Sequence, residues 1–120
     1  MAKVVHFEIN SDNPEKAVKF YESVFGWNIK KWQGDYWMAT TGDEKEPGID
    51  GGIQKRTESS ATTYIVINVP SIDDYIKKIE ANGGKVTTPK MPIPGIGWAA
   101  YFKDLDGNLI GLFKEDKNAK

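Results

Sequence analysis

The feature that most constrains this chain is a strand-then-helix pattern that occurs twice, with Tyr64 standing 58 residues after His6. The first copy is Val4-Val5-His6-Phe7-Glu8-Ile9-Asn10, running into Ser11-Asp12-Asn13-Pro14-Glu15-Lys16. The second is Tyr64-Ile65-Val66-Ile67-Asn68, running into Val69-Pro70-Ser71-Ile72-Asp73-Asp74. A half of about 60 residues is near the lower limit for folding alone, so the halves are expected to share one core. The expectation is a single domain over 1–120, with module one at about 1–58 and module two at about 59–120.

Within the first copy, Val5, Phe7 and Ile9 alternate with His6 and Glu8, the period of a half-buried strand. If the apolar set packs on a helix, His6 and Glu8 share the opposite face. Asn13 suits a helix N-cap and Pro14 the first helical position. Ala17, Val18, Phe20, Tyr21, Val24 and Phe25 then recur at helical spacing as one apolar stripe, which Gly26 ends. Strands are predicted at 27–32, 35–41 and 49–55, and the paired glycines Gly51-Gly52 suggest a bulge or a close approach. Residues 56–61 read as a linker.

The second half repeats the plan. A strand over 62–69 leads to a helix capped by Ser71, with Asp74 at the third helical position. Ile72, Tyr75, Ile76 and Ile79 form its stripe, and Asn82-Gly83-Gly84 stops it. Strands follow at 85–88, 98–103 and 109–114, around an irregular Pro-Gly segment over 89–97 that reads as a mobile lid. Residues 115–120 read as a frayed tail. The order is strand, helix, three strands, twice.

Composition narrows the function classes. A net charge of -1 gives no electrostatic reason to expect nucleic acid or an anionic membrane. No apolar run approaches the roughly 18 residues of a membrane span, and no signal-peptide pattern opens the chain. With no cysteine there is no disulfide, thiolate nucleophile or thiolate metal site. A cytoplasmic protein is the default. Asp104, Asp106, Asn108 and Glu115 have a calcium-loop spacing, but Leu109 stands where that loop needs glycine, so the segment reads as a hairpin turn.

Val5-His6-Phe7-Glu8-Ile9, Phe20-Tyr21-Glu22-Ser23-Val24-Phe25-Gly26-Trp27, Ile79-Glu80-Ala81-Asn82-Gly83-Gly84 and Asp104-Leu105-Asp106-Gly107-Asn108-Leu109-Ile110-Gly111-Leu112 occur in that order. Together they make the chain similar to the vicinal oxygen chelate superfamily, which includes glyoxalases, bleomycin-resistance proteins and extradiol dioxygenases. The resemblance implies an α+β fold: two βαβββ modules paired into a curved mixed sheet around a cleft. Metal-dependent relatives carry a ligand on the first and last strand of each module. Carried over, the first ligand falls on His6. The second falls on Tyr64, one carboxylate on Gly111, and the other within Gly51-Gly52-Ile53. One ligand of four survives.

His6, Glu8, Tyr64, Trp98 and Gly111 are therefore the expected cleft residues, with His6 the candidate catalytic group and the sole candidate metal ligand. An imidazole can act as general base without a metal. Trp37, Tyr64, Trp98, Tyr101, Met91 and Phe113 are candidates for an aromatic box or for plain core packing. Gly111 is expected to leave space for a ligand. The expected function is metal-independent binding of a small organic molecule, with no cofactor and a homodimeric assembly. Alternatives are a metal-dependent glyoxalase-type lyase or isomerase, and a non-catalytic structural or regulatory module.

Overall fold

The computed structural model describes residues 2–57 and 62–120. The expected module boundary at 58 and 59, and most of the 56–61 linker, lie outside the described residues. The chain divides into two compact units, His6–Thr63 in one and the residues up to Val5 with Tyr64–Lys120 in the other. The elements are β1 (Lys3–Ser11), α1 (Pro14–Phe25), β2 (Asn28–Gln33), β3 (Tyr36–Thr40) and β4 (Gly51–Lys55). They continue with β5 (Tyr64–Asn68), α2 (Ile72–Ala81), β6 (Lys85–Ile93), β7 (Gly97–Lys103) and β8 (Leu109–Glu115). The class is α+β, as two βαβββ modules.

In module one the strand order is β2-β3-β4-β1, with β1 and β4 parallel and the other pairs antiparallel. The helix starts where Asn13 Oδ1 accepts the Lys16 amide at 3.3 Å, and ends at Gly26, whose φ of 70° suits a residue without Cβ. Register places side chains in rows across the sheet. Ile9, Ile53 and Trp37 share one row and Phe7, Gly51, Ala39 and Ile29 another. Ile9, Ile29, Trp37, Ala39 and Ile53 pack with Ala17, Val18 and Tyr21 of α1. The other face carries Glu8, Gly52, Met38 and Lys30 in one row and Asn10, Gln54 and Tyr36 in the next. Trp37 thus belongs to the helix-side core and to no aromatic box.

The α1 stripe is narrower than expected. Val18 is buried, but Phe20, Val24 and Phe25 are 56%, 56% and 60% exposed. The six apolar positions span more of the helix circumference than one sheet face can cover. Tyr21 stacks on Trp27 at 5.0 Å, and Phe25 lies 5.7 Å from the same indole.

In module two the order is β5-β8-β7-β6, with β5 and β8 parallel. Ser71 Oγ accepts the Asp74 amide at 3.2 Å to open α2. Ile67, Val69, Ala100, Leu112, Trp98 and Phe102 pack against Ile72, Tyr75, Ile76 and Ile79 of that helix. The irregular segment expected over 89–97 is mostly strand: β6 runs to Ile93 and pairs with β7, leaving only a turn at 94–96. The tail is anchored. The Gly95 amide donates to Ala119 O at 2.9 Å, the Asp116 amide donates to Ile96 O at 2.9 Å, and Ala119 is buried. No mobile lid is built from a turn held in this way.

Candidate functional site

In module one the polar site lies on the sheet face away from α1. Strand alternation sends Phe7 and Ile9 to the helix, so His6 and Glu8 emerge opposite. Glu8 is 7% exposed, the one buried charged residue among those described. Burying a carboxylate is costly unless it is hydrogen-bonded, and Glu8 is. Tyr36 Oη donates to Glu8 Oε1 at 2.7 Å, and His6 Nε2 lies 2.8 Å from the same oxygen and 3.0 Å from Tyr36 Oη. The His6 side chain remains 29% exposed. Behind them, Gln54 Nε2 donates to Asn10 Oδ1 at 3.2 Å.

Tyr36 escaped the sequence reading, because Tyr36-Trp37-Met38-Ala39 shows no polar alternation to assign its face. Its position depends on Gly52. An added Cβ there would overlap the Tyr36 hydroxyl and a Glu8 carboxylate oxygen, whereas one at Gly51 would overlap the Phe7 ring on the opposite face. The glycine pair therefore marks two close approaches by side chains and no bulge, since β4 keeps register with β1 throughout. Trp32, 45% exposed, meets Tyr36 edge-on at 5.9 Å, and Met38 is 51% exposed on the same face.

Module two has the same plan with different chemistry. Val66 pairs with Gly111 as Glu8 pairs with Gly52. Tyr64 lies on the face away from α2, its ring 5.7 Å from Tyr101 and perpendicular to it. Gly111 is on that face too, but the expected open space is filled: an added Cβ would sit 3.2 Å from both the Tyr101 ring and Val66. Tyr101, directly across the β7–β8 pair, lies over the bare strand. Met91 and Phe113 share this face through their pairing with Ala99.

Trp98 is a correction. It was expected on the cleft wall, but it shares parity with Ala100 and Phe102 and packs in the α2 cluster. Its indole N–H donates to Asp116 Oδ2 at 3.0 Å, and Lys90 Nζ lies 4.8 Å from its ring centre. That hydrogen bond, followed by the Asn118 amide, holds the Asp116 carboxyl below its ordinary value. In the β7–β8 turn Asp104 accepts from the Asn108 side chain at 3.0 Å and from the Asn108 and Asp106 amides at 2.9 Å each. It is likewise held low, chiefly by the Asn108 side chain. Asp104 therefore organises a hairpin.

The fold is thus of the α+β class with two helix-backed βαβββ modules, one of which bears a buried carboxylate on its open face. A family model described as the Glyoxalase/Bleomycin resistance protein/Dioxygenase superfamily matches residues 3–112, and the chain belongs to that superfamily. It is 26% identical over 119 residues to the protein named "Putative glyoxylase CFP32" of Mycobacterium bovis, covering 92% of this chain but only 45% of the relative. It therefore spans under half of that relative's length. A protein named "Probable lactoylglutathione lyase" of Vibrio parahaemolyticus is 26% identical, covering 93% of this chain and 90% of its own. Among solved structures, methylmalonyl-CoA epimerase in complex with methylmalonyl-CoA and NH4+ has a TM-score of 0.72 at 15% identity, covering 100% of this chain and 99% of that one. The Mn(II)-bound glyoxalase of Novosphingobium aromaticivorans has a TM-score of 0.63 at 20% identity, covering 99% of this chain and 41% of that one. These structural likenesses show the fold.

The Mn(II)-bound neighbour raises the question of whether this chain's residues suit a divalent ion. Taken one module at a time, they do not. His6 and Glu8 engage each other, and the last-strand positions Gly52 and Gly111 carry no donor and are covered by tyrosines. Among the described residues no three His, Cys, Asp or Glu side chains converge, whereas catalytic zinc-type sites use about three protein ligands. No helix of the described residues is long and apolar enough to cross a membrane.

Proposed function

We propose that this protein binds a small organic molecule on the His6–Glu8–Tyr36 face in the glyoxalase/bleomycin-resistance manner, without a resident metal ion. The observation that carries the reading is Glu8: a carboxylate 7% exposed on a sheet face away from the helix, held by an imidazole and a phenol. Core packing does not call for such a group, and polar groups so fixed orient ligands. The complex of a similar fold with methylmalonyl-CoA supports an organic ligand. The net charge of -1 argues against a polyanion as partner. We place the protein in the cytoplasm as a homodimer. Elemental analysis of purified protein, with mass spectrometry of small molecules extracted from it, tests the reading. A retained organic molecule, lost on Glu8→Ala, is the expected result.

A second reading, a metal-dependent lyase or isomerase of the glyoxalase type, is favoured by the Mn(II)-bound neighbour. Stoichiometric zinc, nickel, manganese or iron that survives dialysis and disappears in His6→Ala would establish it in place of the first.

A further inference from the structure

The hydrogen bonds around His6 determine which of its ring nitrogens is available to a ligand. An ionised carboxylate can only accept, and a phenol has one hydrogen. Tyr36 Oη gives that hydrogen to Glu8 Oε1. Nε2, 2.8 Å from the same carboxylate oxygen and 3.0 Å from the phenol oxygen, therefore faces two acceptors. A lone pair there would be repelled by both, so Nε2 carries the hydrogen and shares it between them. The neutral imidazole then bears its lone pair on Nδ1. Among the described residues His6 makes no hydrogen bond other than those two, and no buried side-chain nitrogen or oxygen lacks a partner. Nδ1 is accordingly open to solvent, on a side chain 29% exposed.

We infer that His6 Nδ1 is the ligand-facing hydrogen-bond acceptor of this site, with Glu8 and Tyr36 as positioning residues that fix the tautomer, and that the ligand presents a hydroxyl on an apolar body. This rests on the small-molecule reading for the ligand and on the hydrogen bonds alone for the tautomer. Glu8 Oε1 already accepts two hydrogen bonds, and the His6 side chain is the more exposed of the two, 29% against 10%, so the acceptor that a ligand meets first is the imidazole Nδ1. The apolar body follows from Met38, in register with Gly52 beside Glu8, and from Trp32 against Tyr36. Both side chains are about half exposed on the same face as His6.

The chain has one histidine, so the ring nitrogens of uniformly 15N-labelled protein give one unambiguous pair of signals. They are read at about pH 9, where an ordinary imidazole is neutral. The expected wild-type spectrum has Nε2 wholly protonated and Nδ1 wholly unprotonated. Glu8→Gln and Tyr36→Phe, each checked for native circular dichroism, are expected to give a mixture of tautomers and a displaced Nε2 signal respectively. A protonated Nδ1 in the wild type overturns the tautomer, and spectra identical in wild type and Glu8→Gln overturn the positioning role of Glu8. Titration with phenol, and with anisole as its hydroxyl-free counterpart, tests the ligand class. Phenol is expected to move the Nδ1 signal and anisole to leave it in place. Equal responses, or no response to either, overturn the hydroxyl-bearing ligand while the tautomer stands. Because the first arm uses ligand-free protein, its outcome is independent of whether a small molecule is retained on purification.

Discussion

A methyl group at position 52 would overlap the Tyr36 hydroxyl and a Glu8 oxygen, so the two groups must part to make room for it. Gly52→Ala is therefore expected to lose the Tyr36–Glu8 hydrogen bond at a cost of about 1.5–3 kcal/mol, typical of a bond to a charged group. Urea unfolding measures the cost, and unchanged unfolding with unchanged His6 ring signals would disprove the packing. Asp116 makes a prediction in pH. Its folded carboxyl is held below the ordinary 3.8, first by the Trp98 indole. A depressed acid stabilises the fold above its unfolded value, and that contribution is lost as pH falls through the folded value. Acid unfolding of Asp116→Asn should therefore show a flatter pH dependence below about pH 4 than wild type. Equal slopes would show that the Trp98–Asp116 bond contributes nothing in solution.

Elements differ in how much of their placement a sequence discloses. On β1 the alternation of Phe7 and Ile9 with His6 and Glu8 was unambiguous, because one side is apolar and the other polar. On β7 both parities are apolar, Trp98-Ala100-Phe102 against Ala99-Tyr101, so only the pairing with β8 decides that Trp98 faces α2. The tyrosine covers escaped for a related reason: a ring laid over a glycine on the next strand is a cross-strand contact with no local signature. At Gly111 this reverses an expectation. Gly111→Leu should cost stability, about 1–3 kcal/mol for overpacking against Tyr101 and Val66. A thermal melt within error of wild type would mean that Tyr101 swings away freely. On α1 the surplus of the apolar stripe, Phe20, Val24 and Phe25, stays in water, the kind of patch that association covers. Light scattering at micromolar concentration should give a dimer mass, reduced in Phe25→Lys. A monomer mass for the wild type would remove the dimer.

For the whole molecule, the duplicated plan was the most legible feature, since it rests on element order and helix caps repeated along the chain. Chemistry was less legible, because the modules diverge at equivalent positions of their first strands: imidazole and carboxylate at 6 and 8, phenol and isopropyl at 64 and 66. That divergence provides an internal control. The open face of module two offers a strand glycine beneath a tyrosine, as module one does, but without the polar pair beside it. A compound that perturbs Val66 and Tyr101 as strongly as His6 and Tyr36 is responding to sheet and aromatic surface in general. One that perturbs only the latter is being selected by two side chains, and a single spectrum of one polypeptide makes the comparison.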